Sequence, residues 1–139
     1  MIVLDTNVIS ELMRSAPDAK VLRWVNAQVA TAVYSTSITE AEIMHGVLLL
    51  PKGKRRTAVT AVAREMFEVD LDGRILAFDS AAASAYAQIT TARRAAGRPI
   101  SAFDAQIAAV AAVHGARLAT RNVSDFVDCG VDVIDPWTV

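Results

Sequence analysis

The sequence predicts an α/β protein with a parallel sheet covered by helices on both faces. Three observations carry that expectation. Short apolar runs alternate with helix-like stretches along the whole chain, alanine-rich segments favour helix by propensity, and glycines stand where helices should stop. In order, "IVL" (2–4) reads as a first buried strand and Val8, Ile9 and Leu12 open a helix over 7–14. A second helix is expected over 18–29, then a strand in "TAVYST" (31–36). Helices over 39–50 and 55–69 lead to a third strand, "RILAF" (74–78). The stretch "SAAASAYAQITTARRAA" gives a helix over 80–96, closed by Gly97 with Pro99 just beyond, and a further helix over 102–114 closes at Gly115. "ARLAT" (116–120) and "VDVID" (131–135) complete five strands.

A chain of 139 residues is expected to be a single domain, 1–139, and its 53% apolar content supplies a full core with apolar surface to spare. Mean hydropathy is +0.33, yet no apolar run is long enough to span a bilayer and no basic leader precedes an apolar segment. Together with a lone cysteine, Cys129, this predicts a cytoplasmic protein. A net charge of −1 points to neither nucleic acid nor membrane. The distribution is more informative: Lys52, Lys54, Arg55 and Arg56 form one basic group and Arg93, Arg94 and Arg98 another, either solvated helix ends or phosphate contacts.

In a parallel sheet the C-terminal ends of the strands share one edge, where the ligand sites of open α/β sheets form. Asp5 ends the first strand on that edge, and three more acids should reach it: Glu42 after strand two, Asp104 before strand four and Asp125 after it. Each has an ordinary alternative. Thr39-x-x-Glu42 has the form of a capping box, Ser101-x-x-Asp104 a shorter version, and Asn122-x-x-Asp125 also resembles a cap. With Thr39 as N-cap, Glu42 would face the edge while Glu40, roughly 200° around the helix, would point to solvent. Asp5 is harder to explain as a cap, because a buried carboxylate is costly without partners. Four acids from separate segments would repel one another without a cation, and an all-oxygen set with neither His nor Cys suits Mg²⁺ or Mn²⁺. Such acid-lined sites hydrolyse phosphodiesters. His45 and His114 stand apart from these motifs as helix-surface or core residues.

"VLDTNVISEL", "SITEAEIMHG", "PISAFDAQIAA" and "LATRNVSDF" follow in the order and spacing of the PIN-domain ribonucleases, and the chain resembles the VapC/FitB-like toxins of bacterial toxin–antitoxin pairs down to "VIDPW". The resemblance implies a three-layer α/β/α sandwich with a five-stranded sheet of order 3-2-1-4-5, and Mg²⁺- or Mn²⁺-dependent endonucleolytic cleavage of RNA. It carries catalytic and metal-binding roles to Asp5, Glu42 and Asp104, and to Asp125 as the fourth, more variable acid. Thr6, Asn7 and Asn122 match the supporting polar residues, with Thr6 expected to position Asp5 or a metal-bound water. A homodimer and a cognate antitoxin are implied as partners, and the basic groups become candidate contacts to RNA.

Rival classes fit less well. A haloacid-dehalogenase-type phosphatase needs a second acid where this chain has Asn7, and a receiver domain needs a late lysine, whereas none follows Lys54. The remaining alternative is a PIN-like module that binds RNA or protein without cutting; it would typically lack a central acid.

Overall fold

The first strand, β1 (Ile2–Leu4), is buried at all three positions because it lies at the centre of the sheet. The computed structural model describes residues 1–139. Parallel neighbours flank β1: β2 (Val33–Thr36) on one side and β4 (Arg117–Ala119) on the other. Two-residue strands, β3 (Ile75–Leu76) and β5 (Val133–Ile134), complete the order β3-β2-β1-β4-β5, as the resemblance implied. Six α-helices cover the sheet: α1 (Thr6–Leu12), α2 (Ala19–Asn26), α3 (Ser37–Leu48), α4 (Lys54–Arg64), α5 (Ser80–Ala95) and α6 (Ala102–Val113).

Strand alternation produces two cores. Val3 and Leu118 point to one face and pack with Ala82 and Ile89 of α5 and Ile107 and Val110 of α6. Ile2, Leu4 and Ala119 point to the other and pack with Val8 and Ile9 of α1, Val21 of α2, Val47 of α3 and Ala63 of α4. The result is the α/β/α sandwich. No helix is long and apolar enough to cross a membrane.

The expected stops are present: Gly97 and Gly115 follow α5 and α6 at φ 72° and 61°, where a side chain would be strained. Two expectations need correction. The helix expected over 55–69 is α-helical only to Arg64 and continues as a wider π-helical stretch, Glu65–Asp70. More consequentially, α3 starts at Ser37, not after Thr39. Thr36 is the N-cap, its hydroxyl accepting from the Thr39 backbone N–H at 3.1 Å. β2 therefore runs directly into the helix with no intervening turn.

Candidate active site

Asp5 is 4% exposed, held where β1 gives way to α1. Its Oδ1 accepts from the Thr6 backbone N–H at 2.8 Å, so it does cap α1. Its Oδ2 does more than capping requires, accepting from the Thr120 hydroxyl at 2.7 Å and the Asn7 side-chain amide at 3.4 Å. The Thr120 hydroxyl has one proton, given to Asp5; its lone pairs accept from the Asn7 amide and from the Asn122 backbone N–H, each at 3.1 Å. Asn7 is fixed at its other end by the Arg121 backbone N–H, which donates to Oδ1 at 3.2 Å. Burial pushes the Asp5 carboxyl up to about 6; the Thr120 and Thr6 hydrogen bonds pull it down, and the charges of Asp104 and Glu42 add to the rise. The carboxylate is therefore well bonded but crowded by like charge.

Glu42 does not close a capping box. With Thr36 as N-cap, Glu42 lies in the second turn of α3, and the acid of the first turn is Glu40. Its Oε1 instead accepts from the Thr6 hydroxyl at 2.8 Å. Because that proton is committed to the carboxylate, the Thr39 hydroxyl, 3.1 Å away and fully buried, must be the donor in its contact with Thr6. Thr6 thus contacts Asp5 only through its backbone; its side chain positions Glu42.

Ser101 caps α6 as expected, accepting from the Asp104 backbone N–H at 3.2 Å. The Asp104 carboxyl is raised, first by burial and then by the charge of Asp125, against the lowering influence of Ser101 and Arg93. Asp125 is exposed on a 3₁₀ turn, Val123–Phe126, that Phe126 anchors in the core; it is near enough for Asp104 to feel its charge but outside the cavity that the other acids share. Asn122 opens that turn through its backbone carbonyl, which accepts from the Asp125 N–H at 3.0 Å, and its side chain makes no capping bond.

Of the second basic group, Arg94 and Arg98 are exposed but Arg93 is not a surface residue. Arg93 is 5% exposed and binds no carboxylate. Its guanidinium donates to the carbonyls of Arg98, Asp125 and Val127 and, at 3.4 Å, to the Cys129 Sγ. It is a buried clasp on the segment carrying Asp125, which removes it from any direct contact with a phosphate. Arg98 pairs with Asp128 at 3.8 Å. In the first group, Lys52 and Arg56 line a shallow groove of their own, separate from the acids.

Asp5, Glu42 and Asp104 line one cavity of about 550 Å³, together with Asn7 and Asn122. No three of its acids are drawn into a ready-made metal cage. Carboxylates with no cation between them repel, and here Thr6 holds Glu42 while Thr120 holds Asp5. The donor chemistry fits a hard divalent ion: oxygen ligands only, one of them raised to about 6 by burial and like charge that a cation would relieve. Glu40 does not line this cavity. Sequence reasoning missed Thr120 and the cavity rim, where Arg14, Arg121 and Trp137 stand, and it placed Arg93 at the surface. Thr120 had a signal: it is a polar residue ending a buried strand, as Asp5 is, and the register pairing Leu4 with Ala119 sets the two side by side.

The PIN domain family model matches residues 2–128. The VapC ribonuclease of Sinorhizobium fredii is 43% identical over 137 residues, 99% of this chain and 98% of that protein. Toxin FitB of Neisseria gonorrhoeae is 39% identical over 137 residues, 99% of each chain. The crystal structure of FitAcB from Neisseria gonorrhoeae superposes with a TM-score of 0.93 at 39% identity, covering 100% of both chains. With its sheet order, its acid-lined edge and its full-length relatives in agreement, the chain belongs to the PIN-domain family, alongside the VapC and FitB toxins.

Proposed function

We propose that this protein is a metal-dependent endoribonuclease and the toxin of a toxin–antitoxin pair, acting in the cytoplasm. The observation that carries the reading is Asp5: a buried carboxyl at a strand end, raised to about 6, in one cavity with Glu42 and Asp104. Asp5, Glu42 and Asp104, with Asp125 directly or through water, would hold Mg²⁺ or Mn²⁺. When bound, the ion supplies the positive charge that makes a phosphodiester open to attack by water. The chain's own residues keep the carboxylates in place beforehand: Thr120 and the Thr6 N–H orient Asp5, the Thr6 hydroxyl orients Glu42, and Asn7 locks the β1 and β4 ends together. That pre-organisation is what an electrostatic site requires.

A cognate antitoxin has a suitable surface. A groove of about 710 Å³ between α1, α3 and α4, lined by Met13, Ile43, Val47, Val59 and Val62, opens onto Thr6 and Glu42. A segment seated there would cover the approach to the acids. The family resemblance also supports a homodimer.

Brief expression of the protein alone, followed by mapping of RNA ends, tests the reading. Growth should stop and new 5′ ends should appear, and co-expression of the antitoxin should restore growth. Unimpaired growth with verified soluble protein and no new RNA ends would favour a PIN-like module that binds without cutting.

A further inference from the structure

We infer that Arg121 is the phosphate-binding residue at the rim of the acid cavity, that it grips the single-stranded RNA backbone beside the cleaved bond, and that Trp137 is the positioning residue that holds it there. The inference rests on the ribonuclease reading for the identity of the polyanion. A cation fixed at the mouth of the cavity lined by Asp5, Glu42 and Asp104 would draw in the polyanionic backbone and hold it beside the ion those acids carry. Two arginines line that mouth. Arg14 is already paired: its Nη1 lies 3.1 Å from Glu11 Oε2 and 3.3 Å from Glu11 Oε1. Arg121 has no carboxylate within ion-pair distance, the two salt bridges of the protein being Arg14–Glu11 and Arg98–Asp128.

Arg121 is also held in place. Its backbone N–H donates to Asn7 Oδ1, tying it to the residue that contacts Asp5. Its guanidinium carbon lies 5.0 Å from the centre of the Trp137 ring. Trp137 is itself fixed, packing against the core of Ile2, Leu4 and Val8, with its backbone N–H donating to Asp135 Oδ1 at 2.8 Å. An arginine lying on an aromatic face keeps its planar fork of donors free at the edge, the geometry that suits a phosphate, and loses less freedom on binding. Lysine, a compact point charge, has no such fork to present.

The test is binding of a short, labelled, mixed-sequence oligoribonucleotide to the full-length protein, with chelator present and over a range of salt concentrations, alongside Mn²⁺-dependent cleavage kinetics. Arg121→Ala should weaken binding roughly tenfold. It should also make the slope of log affinity against log salt shallower by about 0.7, the value for one phosphate contact on a single strand. KM should rise more than kcat falls. Trp137→Leu should reproduce the higher KM with no further loss on adding Arg121→Ala, and Trp137→Tyr, which keeps an aromatic face, should stay near wild type. An unchanged salt slope in Arg121→Ala, in a protein that still cleaves RNA, overturns the inference and leaves the ribonuclease reading standing. Normal slope loss in a protein that never cleaves supports Arg121 as the phosphate contact, removes its place beside a cleaved bond and sinks the ribonuclease reading. No RNA binding by the wild type overturns both. Lower thermal stability in Trp137→Leu with unchanged KM would make Trp137 a core residue only and overturn its positioning role.

Discussion

Thr120, at the end of β4, donates its hydroxyl proton to Oδ2 of Asp5, at the end of β1, across 2.7 Å. The two are side by side because β1 and β4 are adjacent parallel strands in register, with Leu4 opposite Ala119. One hydroxyl thereby joins the central acid to the segment that leads to Asn122 and Asp125.

Thr120→Val keeps the shape and removes that link. It leaves Asp5 without its shortest hydrogen bond, the Asn122 N–H without an acceptor, and the Asn7 amide with only its longer contact to Asp5 at 3.4 Å. The expected loss is about 1–3 kcal/mol, read from urea unfolding midpoints. Thr120→Ser, which retains the hydroxyl, should recover most of it.

The raised carboxyl of Asp5 predicts a pH dependence with a definite sign. The folded protein keeps this proton up to about pH 6, whereas the unfolded chain releases it near the ordinary value of 3.8. Between those values the folded state holds more protons, so the Asp5 contribution to stability falls as pH rises through that window. Asp5→Asn does not titrate. Its stability relative to wild type should climb between about pH 4 and 6 and then level, by an amount on the order of 2–3 kcal/mol at most. A flat difference would show that Asp5 is not destabilised by its surroundings.

Glu42→Gln keeps an acceptor for the Thr6 hydroxyl and removes only the charge. Activity should fall by orders of magnitude with little change in melting temperature, while Glu40→Gln, outside the cavity, should cleave like wild type. Normal specific activity in Glu42→Gln would reduce Glu42 to a structural partner of Thr6.

The sheet order and the positions of Asp5, Glu42 and Asp104 on one edge were legible in the sequence, the first through family resemblance and the second because parallel strands align their C-terminal ends. The register of α3 was not. Threonines at positions 36 and 39 are equally good caps in isolation, and tertiary packing chose Thr36, moving Glu42 from a capping box to a hydrogen bond with a residue 36 positions away. Arg93 was misread for a similar reason. A cation beside Arg94 and Arg98 looks like surface charge until the fold wraps the carbonyls of Asp125 and Val127 around it. Arg121 and Trp137 gave no local signal, since they meet only when β4 and β5 bring their following loops together.

A shared cation should also stabilise the fold. Adding Mg²⁺ or Mn²⁺ should raise the melting temperature of the wild type, with a much smaller gain in Asp5→Asn, since an ion that binds only the folded state shifts the equilibrium by mass action. Equal gains in both proteins would place the bound ion away from Asp5.

The most direct measurement is cleavage of RNA by purified wild-type and Asp5→Asn protein, each with Mn²⁺ and with chelator. The wild type should cut with Mn²⁺ and stop with chelator, and Asp5→Asn should be inactive in both while remaining folded. Cleavage that persists in chelator, or in folded Asp5→Asn with Mn²⁺, would contradict a metal-dependent site built around Asp5.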